Sequence, residues 1–569
     1  MIMNNPQSAY CTNLAKLDLN HDLVYFLPLG GAGEIGMNFY LYSFSGEWLI
    51  VDIGITFADD TTPPGIEIIV PDISALNGIQ EKIVGIVITH AHEDHLGAIG
   101  YLWPKLRCPV FLTGFAFGIV EKKLGEMGLL SQVDLVLLNQ KSIFQIGSFD
   151  LEYVSATHSV PESNFLLIKV NGLTIFHTGD WKLDPNPLEG SNYDDKRLFE
   201  IGEHGVDLLI GDSTNAPISG WSGSEAQCRL VLSELIKKQP GRVVVTCFSS
   251  NSARLASVGE AAKETGRSLA IVGRSLNQFV MVAKSNGYLC DMPIIRSAEE
   301  LSYLPKEKQL ILCTGSQGES RAAMAKLATG QHFDLFLEPG DTVIFSSKVI
   351  PGNERRLNRL YDQLAKLKVS VITETDAEVH VTGHPCKDEL IWLYNVLKPK
   401  VIIPVHGEER HLNAHEELVV SLGGRVQQVR NGELICLKTK PSGILTRVYS
   451  GRMGLAGKTL IPLSNEAFKE RKLISDSGVV SVTVVIDKIG KLMKPVKVET
   501  IGIPFDEFEY LDFWQMLAKQ SEQVISDAAG LDCEDDNVIR SLLKRMLRKK
   551  IKANLGINPR KLINLIRLD

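Results

Sequence analysis

Apolar positions in the first 212 residues come as short runs, at 23–29, 38–43, 48–52, 84–89, 110–113, 149–157, 165–170, 173–178 and 206–212. Several alternate with polar residues at a period of two, which predicts strands. Few helical stretches separate the early runs, so this part reads as a mixed sheet and not a regular βαβ series. The texture changes near Ser224. Helical periodicity at 224–238 and 253–265 alternates with strand-like runs at 242–248 and 270–273, and a strand at 309–313 precedes a helix at 316–328. Alternation of this kind predicts a parallel sheet with helices on its faces. Beyond Gly383 follow a helix at 387–397, a strand at 401–404 and a helix at 413–422. A third texture closes the chain, with a strand at 479–486 and helices at 506–529 and 537–551. No internal repeat and no long low-complexity linker is visible.

At 569 residues there is room for three or four domains of about 150 residues each. Hydrophobic content of 44% and charged content of 22% belong to an ordinary soluble globular protein. A net charge of −7 does not announce a nucleic-acid binder, so any such contact must rest on local patches. The nine cysteines are scattered singly, without a CxxC pair, which fits reduced thiols and a cytoplasmic location better than a disulfide framework. The amino terminus carries no basic segment followed by an apolar stretch, and no run approaches the roughly 18–20 apolar residues of a membrane span. Neither secretion nor a membrane is expected.

One motif misleads. Gly31-Ala-Gly33-Glu-Ile-Gly36 follows a strand, and Asp52 lies downstream at the distance of a ribose-binding carboxylate. A dinucleotide site needs a helix to begin in that loop. Instead 37–44 alternates like a second strand, so a hairpin is expected and no nucleotide cofactor.

The chemistry concentrates in Thr89-His-Ala-His-Glu-Asp-His-Leu-Gly97, directly after an apolar run. His90, His92, Asp94 and His95 fall within six positions. Alternating ligands on an extended segment point one way, and the adjacent Asp-His pair turns toward a second point. Such a segment can hold two metal ions side by side, and imidazole with carboxylate suits Zn²⁺ or a similar divalent ion. The bland reading is a solvated histidine loop. Further ligand types stand at strand ends: His158 in Ala156-Thr-His-Ser, Asp180 in Phe176-His-Thr-Gly-Asp, and His406 in Ile402-Ile-Pro-Val-His. Each alone is an unremarkable polar strand terminus. Together they complete two coordination shells, with Asp180 able to bridge.

These motifs resemble the metallo-β-lactamase signature. Asp212-Ser-Thr-Asn, Thr314-Gly-Ser-Gln-Gly-Glu and Ile350-Pro-Gly-Asn-Glu in the inserted segment are similar to the β-CASP branch of nucleases. From about residue 22 onward the chain resembles the bacterial ribonuclease J family. The resemblance implies an α/β protein: a metallo-β-lactamase αββα sandwich with an inserted α/β β-CASP domain and a small α+β carboxyl-terminal domain. The corresponding divisions are an irregular 1–21, the sandwich at 22–224 and 384–440, the insertion at 225–383, a linker at 441–465 and a terminal domain at 466–569. It implies one ion on His90, His92, His158 and Asp180 and another on Asp94, His95, Asp180 and His406, two Zn²⁺ per subunit with Mn²⁺ as the alternative. The implied reaction is hydroxide attack on an RNA phosphodiester, leaving a 5′-phosphate and a 3′-hydroxyl. The implied mode is 5′-to-3′ exonuclease with a preference for 5′-monophosphate, alongside endonuclease activity, in RNA maturation and decay. His384, in His380-Val-Thr-Gly-His384, matches the family's general acid, and Asp212 matches the carboxylate that orients it.

Substrate contacts carried over in the same way are His380, Val381, Thr382, Gly383 and His384, with the loop Ser249, Ser250 and Asn251. Backbone N–H groups, hydroxyls and amides there suit a sugar-phosphate chain that is held without reading sequence. Ser316, in a turn ahead of a helix, adds a dipole-assisted anion site on this reading. His406, where DNA-acting relatives often carry an aliphatic residue, favours RNA. Thr382 stands where relatives commonly have Ser, and Pro385-Cys386 replaces small or polar residues at the edge of that pocket. His177 and His204 match no ligand position and are assigned to structure; His411 and His415 fall on a helix facing solvent or a packing seam. Lys544, Arg545, Arg548, Lys549, Lys550 and Lys552 share a helix with an apolar stripe. A solvated face is the plain reading, and an RNA-approach surface the sharper one. The family further implies a homodimer, or a tetramer, in which the terminal domain takes part. The competing classes are a small-molecule hydrolase of the same fold, cleaving a thioester, lactone or β-lactam, which needs neither the insertion nor His384, and an RNA-binding scaffold with gaps among its ligands.

Overall fold

The computed structural model describes residues 13–59, 61–350, 352–504, 510–528 and 535–568. It divides into two compact units, Met1–Asp59 with Ile68–Met453, and Asp60–Glu67 with Gly454–Asp569. Residues 1–12 of the irregular amino-terminal stretch lie outside the described residues, as does Pro351 of the Ile350-Pro-Gly-Asn-Glu motif.

In the first unit, two sheets pack face to face. One has eight strands in the order Ile444–Arg447, Glu433–Cys436, Tyr25–Gly30, Phe39–Phe44, Glu47–Val51, Ile83–Val87, Val110–Thr113 and Leu135–Leu138. The other has six: Ile143–Ile146, Phe149–Ser155, Asn164–Val170, Leu173–His177, Leu208–Asp212 and Val401–Val405. Inward residues of both, including Phe26, Tyr42 and Leu49 from the first and Phe149, Tyr153 and Ile168 from the second, form one buried core. The opposite face of the six-stranded sheet is covered by the helices Asp195–His204, Lys387–Leu397 and Glu409–Ser421, through Leu198, Leu393 and Val419 among others.

Tyr25–Gly30 and Phe39–Phe44 pair antiparallel, with Leu27 opposite Leu41. The glycine motif is therefore a hairpin connection. Gly31 has φ of +80°, and a Cβ there would lie 2.3 Å from the Tyr40 hydroxyl and 2.4 Å from Asn38 Oδ1, so a close approach demands glycine.

The insertion folds as six parallel strands ordered Ile295–Arg296, Ser268–Val272, Gln309–Cys313, Val243–Thr246, Thr342–Phe345 and Ser370–Ile372. Here one expectation fails. The helix predicted at 316–328 is only Ala323–Ala328. Gly315 and Gly318, at φ of +115° and +74°, hold the preceding residues in a non-helical loop. The pattern also missed helices at Ile99–Leu106, Gly114–Glu126, Asp195–His204, Arg274–Ser285 and Glu354–Lys366. The interval 441–465, expected as a linker, contains the strands Ile444–Arg447, Arg452–Ala456 and Thr459–Pro462.

Buried charged side chains brace the insertion and the sandwich each from within. Arg254 is wholly buried, 2.9 Å from the equally buried Glu225, and donates to Ser346 Oγ at 2.5 Å and to the Val379 carbonyl. Glu389 accepts from the backbone N–H of Leu183, Ser222 and Cys386 at 2.8, 2.9 and 2.8 Å. Arg254→Met is expected to destabilise the protein by about 3–5 kcal/mol, because it strands the Glu225 charge away from water. Urea unfolding of that variant and of Arg254→Met/Glu225→Leu checks this: the double variant recovers much of the loss, and equal losses would count against a stranded charge.

The second unit is α+β. Lys497–Ile501, Val479–Ile486 and Arg560–Arg567 form a three-stranded sheet with the middle segment at its centre. Tyr510–Ala528 and Asp536–Leu555 cover one face, joining Val482 and Val484 to Leu517, Leu543 and Leu547 in a separate core. The helix expected at 506–529 is seen as Tyr510–Ala528; 506–509 and 529 lie outside the described residues. Among the described residues no helix is long and apolar enough to cross a membrane.

Candidate metal centre

Strand direction brings the histidines and carboxylates together. Leu173–His177, Leu208–Asp212 and Val401–Val405 run parallel and in step, with His177 opposite Ile210 and Asp212 opposite Val405. Phe149–Ser155 has the same direction through two antiparallel pairings. The residues that follow these strands, His158, Asp180 and His406, therefore emerge at one edge. The His90–His95 loop arrives there from the carboxyl end of Ile83–Val87 in the facing sheet. In each of two sets, His90/His92/His158/Asp180 and Asp94/His95/Asp180/His406, the ligand atoms lie within 4.8 Å of one another. Asp180 belongs to both.

The first set has a lone-pair problem that a cation resolves. Thr89 Oγ1 gives its proton to Asp52 at 2.9 Å, so at 3.0 Å it accepts from His90 Nδ1–H. His158 Nδ1–H donates to the Gly383 carbonyl at 2.5 Å. Both tautomers are thereby set, and both Nε2 atoms face His92 Nδ1 as acceptors, at 3.2 Å and 3.0 Å. His92 can give a proton to only one of them. Four-coordinate zinc with Zn–N bonds of about 2.0–2.1 Å has ligand–ligand edges of about 3.3 Å, close to these separations. Burial first, then neighbouring imidazoles, hold His90 and His158 well below the ordinary histidine range, and burial brings His92 to about 4. All three are neutral at pH 7, the form that ligates a cation.

In the second set, His95 Nδ1–H donates to Asp52 Oδ2 at 2.7 Å, aiming Nε2 at Asp180 Oδ2, 3.2 Å away. His406 Nε2 is 3.3 Å from Asp94 Oδ2. Burial lowers the pKa of His95 and His406, but Asp180 with other nearby carboxylates more than reverses it, taking His406 to about 10. Carboxylates that gather this much positive charge form an acidic basin suited to cations. Asp180 Oδ1 is buried without a hydrogen-bond partner, with His406 Nδ1 3.2 Å away as an ionic neighbour. The donor set therefore fits two divalent ions.

His384 stands beside this basin. Its Nδ1 is 2.8 Å from Asp212 Oδ2 and 3.8 Å from Asp180 Oδ2. Burial pulls its pKa down, while Asp212 and Asp180 pull it further up, so the net shift is upward. Thr382 Oγ1 accepts from Asn215 Nδ2 at 2.8 Å and from the His384 N–H at 3.2 Å, fixing the loop that carries the imidazole. A Cβ on Gly383 would lie 2.6 Å from the His158 ring, so the loop passes His158 only because residue 383 is glycine. Val381 packs against Gly223, and His380 Nδ1 is buried without a partner. Of the second loop, Ser249 and Ser250 are half-buried, and the Ser252 N–H just beyond it donates to the carbonyl of Ser159, the neighbour of His158, at 3.1 Å. The Asn251 side chain caps the helix Ser252–Thr265, accepting from the Arg254 N–H at 2.9 Å.

Ser316 needs a correction. It is buried, and the helix it was expected to open begins at Ala323, so no helix dipole points from it. His177 is a core residue bonded to the Tyr42 hydroxyl at 2.8 Å, and His204 bonds the Glu200 carbonyl at 2.7 Å. His415 is wholly buried between Ser213 and Tyr394, and His411 is buried as well, so this helix face is a packing seam. The pattern missed Asp52 and Asn38. Asp52, in the left-handed region at φ of +64°, orients His95 and Thr89; Asn38 Nδ2 lies 2.9 Å from His95 Nε2. The available signal for Asp52 was its place at the end of a strand, like the other carboxylates.

Four family descriptions match successive parts of the chain. These are the metallo-beta-lactamase superfamily at 33–131, the ribonuclease J beta-CASP domain at 240–364, the Zn-dependent metallo-hydrolase RNA specificity domain at 369–428, and the ribonuclease J C-terminal domain at 466–567. Ribonuclease J of Sinorhizobium meliloti is 39% identical over 505 residues, covering 87% of this chain and 89% of that protein. The chain belongs to the ribonuclease J family. Ribonuclease J2 of Bacillus subtilis is 31% identical, with 94% of this chain and 96% of that one covered. A solved protein of unknown function from Enterococcus faecalis, at 16% identity and a TM-score of 0.53 over 73% of this chain and all of that one, shares the fold. Membership of the ribonuclease J family makes this protein a metal-dependent ribonuclease, with RNA as its substrate.

Proposed function

We propose that this ribonuclease hydrolyses RNA from the 5′ end, with His384 as general acid, Asp212 as its orienting carboxylate, and two Zn²⁺, or Mn²⁺, held by the two sets that share Asp180. The shared carboxylate is the observation that carries the reading. When bound, such ions make water a nucleophile at neutral pH and share the charge that develops on phosphoryl oxygens. The protein's own part follows from the site. Asp52, Thr89 and the Gly383 carbonyl keep His95, His90 and His158 in the ligating tautomer. Asp212 takes the Nδ1 proton of His384 as a hydrogen bond and leaves Nε2–H for the departing 3′-oxygen. As the P–O3′ bond breaks and the water oxygen bonds to phosphorus, that proton completes the 3′-hydroxyl and the other product keeps a 5′-phosphate. The 380–384 loop, bonded to His158, and the 249–251 loop, which leads into the Ser252–Ser159 hydrogen bond, supply polar contacts for the sugar-phosphate chain.

The test uses one end-labelled RNA bearing a 5′-hydroxyl, monophosphate or triphosphate. Mononucleotides released from the 5′ end, fastest from the monophosphate, are expected; equal rates on all three would remove the monophosphate preference, and internal cuts alone would remove the directional reading. Gly383→Ala is expected to push the His158 ring aside and weaken metal retention about 10–100-fold, as loss of a supporting group does at metal sites. Metal titration of the chelated protein measures it, and unchanged affinity would detach His158 from the metal.

A further inference from the structure

The carboxyl-terminal part of the chain carries its densest run of positive charge. Residues 537–568 contain ten Lys and Arg and not one Asp or Glu, within a protein of net charge −7. Six of the ten fall at 544–552, inside the helix Asp536–Leu555. That helix sorts its residues by face. Ile539, Leu543, Leu547 and Ile551, four apart, are buried in the core of the second unit. Lys544, Arg548 and Lys552, also four apart, are exposed, with Arg545 and Lys549 beside them. From Lys544 to Lys552 the row is about 12 Å long at 1.5 Å per residue.

Some other cations of this unit do find acids: Arg560 pairs with Glu470 and Arg567 with Asp536. Among the described residues, no carboxylate pairs with any of the six cations at 544–552. The pKa of Lys561 on the adjoining strand is lowered, by burial first and then by Arg548, so like charges gather here with no acid between them. Surface cations kept together in this way repel one another and forgo the small gain that exposed ion pairs bring. A polyanion offsets that repulsion by releasing its condensed counter-ions.

We propose that the exposed face of Asp536–Leu555 is an RNA-holding surface that binds the sugar-phosphate backbone of the substrate without reading sequence. The inference rests on RNA being the substrate and assigns to the second unit a role in substrate retention separate from the chemistry. Its contacts are charge contacts, so they strengthen binding of a long RNA and leave the rate of bond cleavage alone.

The experiment compares the full-length protein with Lys544→Gln/Arg548→Gln/Lys552→Gln and with Lys544→Arg/Arg548→Lys/Lys552→Arg. KM and kcat are measured on a long unstructured RNA and on a trinucleotide, across a range of salt. The glutamine variant is expected to raise KM on the long RNA about tenfold, with kcat and the short substrate unaffected. The slope of log affinity against log salt falls by about 2, at about 0.7 per neutralised phosphate of single-stranded RNA. The charge-conserving variant keeps both KM and slope. Unchanged KM and slope in the glutamine variant overturn the proposal. So does a loss confined to binding of phosphatidylserine vesicles, which would give the face to a membrane. Absence of cleavage by the unsubstituted protein on either RNA would instead count against the ribonuclease reading. Circular dichroism identifies an unfolded variant; Lys544→Gln and Lys552→Gln, made singly, then decide by the same slope, each lowering it by about 0.7 or refuting the surface.

Discussion

Asp180→Asn is expected to lower RNA cleavage by at least about a thousandfold and to strip the protein of bound metal, while the fold survives. Asparagine keeps the volume and one oxygen, so the wholly buried position stays filled. What disappears is the charge around which the site is arranged. Asp180 Oδ2 lies 3.9 Å from His90 Nε2 and 3.2 Å from His95 Nε2, and Oδ1 lies 3.2 Å from His406 Nδ1. No other residue belongs to both four-membered ligand sets. Losing a ligand common to both therefore weakens two sites at once, whereas His92→Ala or Asp94→Ala weakens one directly. Elemental analysis, cleavage of labelled RNA and circular dichroism on the same preparation decide it. A folded Asp180→Asn protein with stoichiometric metal and a rate within tenfold of the unsubstituted enzyme would refute the shared carboxylate.

His384→Ala is expected to lower kcat by about 10²–10⁴ with metal content intact, the range for a lost general acid. The neighbouring geometry makes this discriminating, because His384, Asp180, Asp212 and His406 also lie close enough to hold an ion among themselves. If His384 ligated a metal, its removal would lower metal occupancy; if it donates a proton, occupancy stays and the pH profile changes. The direction is set by its environment. Burial disfavours its charged form, Asp212 and Asp180 favour it more strongly, and the raised pKa extends the protonated form to higher pH than in a free imidazole. The proton is lost as pH rises, so kcat falls on the alkaline side in the unsubstituted enzyme, and that limb is missing in His384→Ala. An alkaline limb that survives the substitution would assign the acid to another group. Asp212→Asn is expected to move the same limb to lower pH, since it removes the charge that holds the proton.

The ligand positions were legible in the sequence because they are locally dense or locally placed. Four ligand types in six residues is a pattern that survives without tertiary knowledge, and His158, Asp180 and His406 each follow an apolar run. Helix content was less legible. Ile99–Leu106 is apolar on most of its surface and contains Pro104, and Gly114–Glu126 includes three glycines, so neither shows a clean 3.6-residue stripe. The opposite error at 316–328 arose because a helical pattern says nothing of two glycines in the left-handed region. Asp52 escaped notice because its partner His95 is 43 residues away, and its sequence neighbourhood invited a nucleotide-binding reading instead.

Sequence by itself thus determined which atoms are available to hold metal, most strands of the amino-terminal half, and where the cations of the last helix fall. Side-chain type and short-range period carry that information, since both depend only on neighbours along the chain. Tertiary structure alone decided which nitrogen of each imidazole is free. That choice depends on Asp52, Thr89 and the Gly383 carbonyl, groups brought in by strand register and by a loop 225 residues away from His158. Register is set by packing two sheets into one core, a global balance no local window contains.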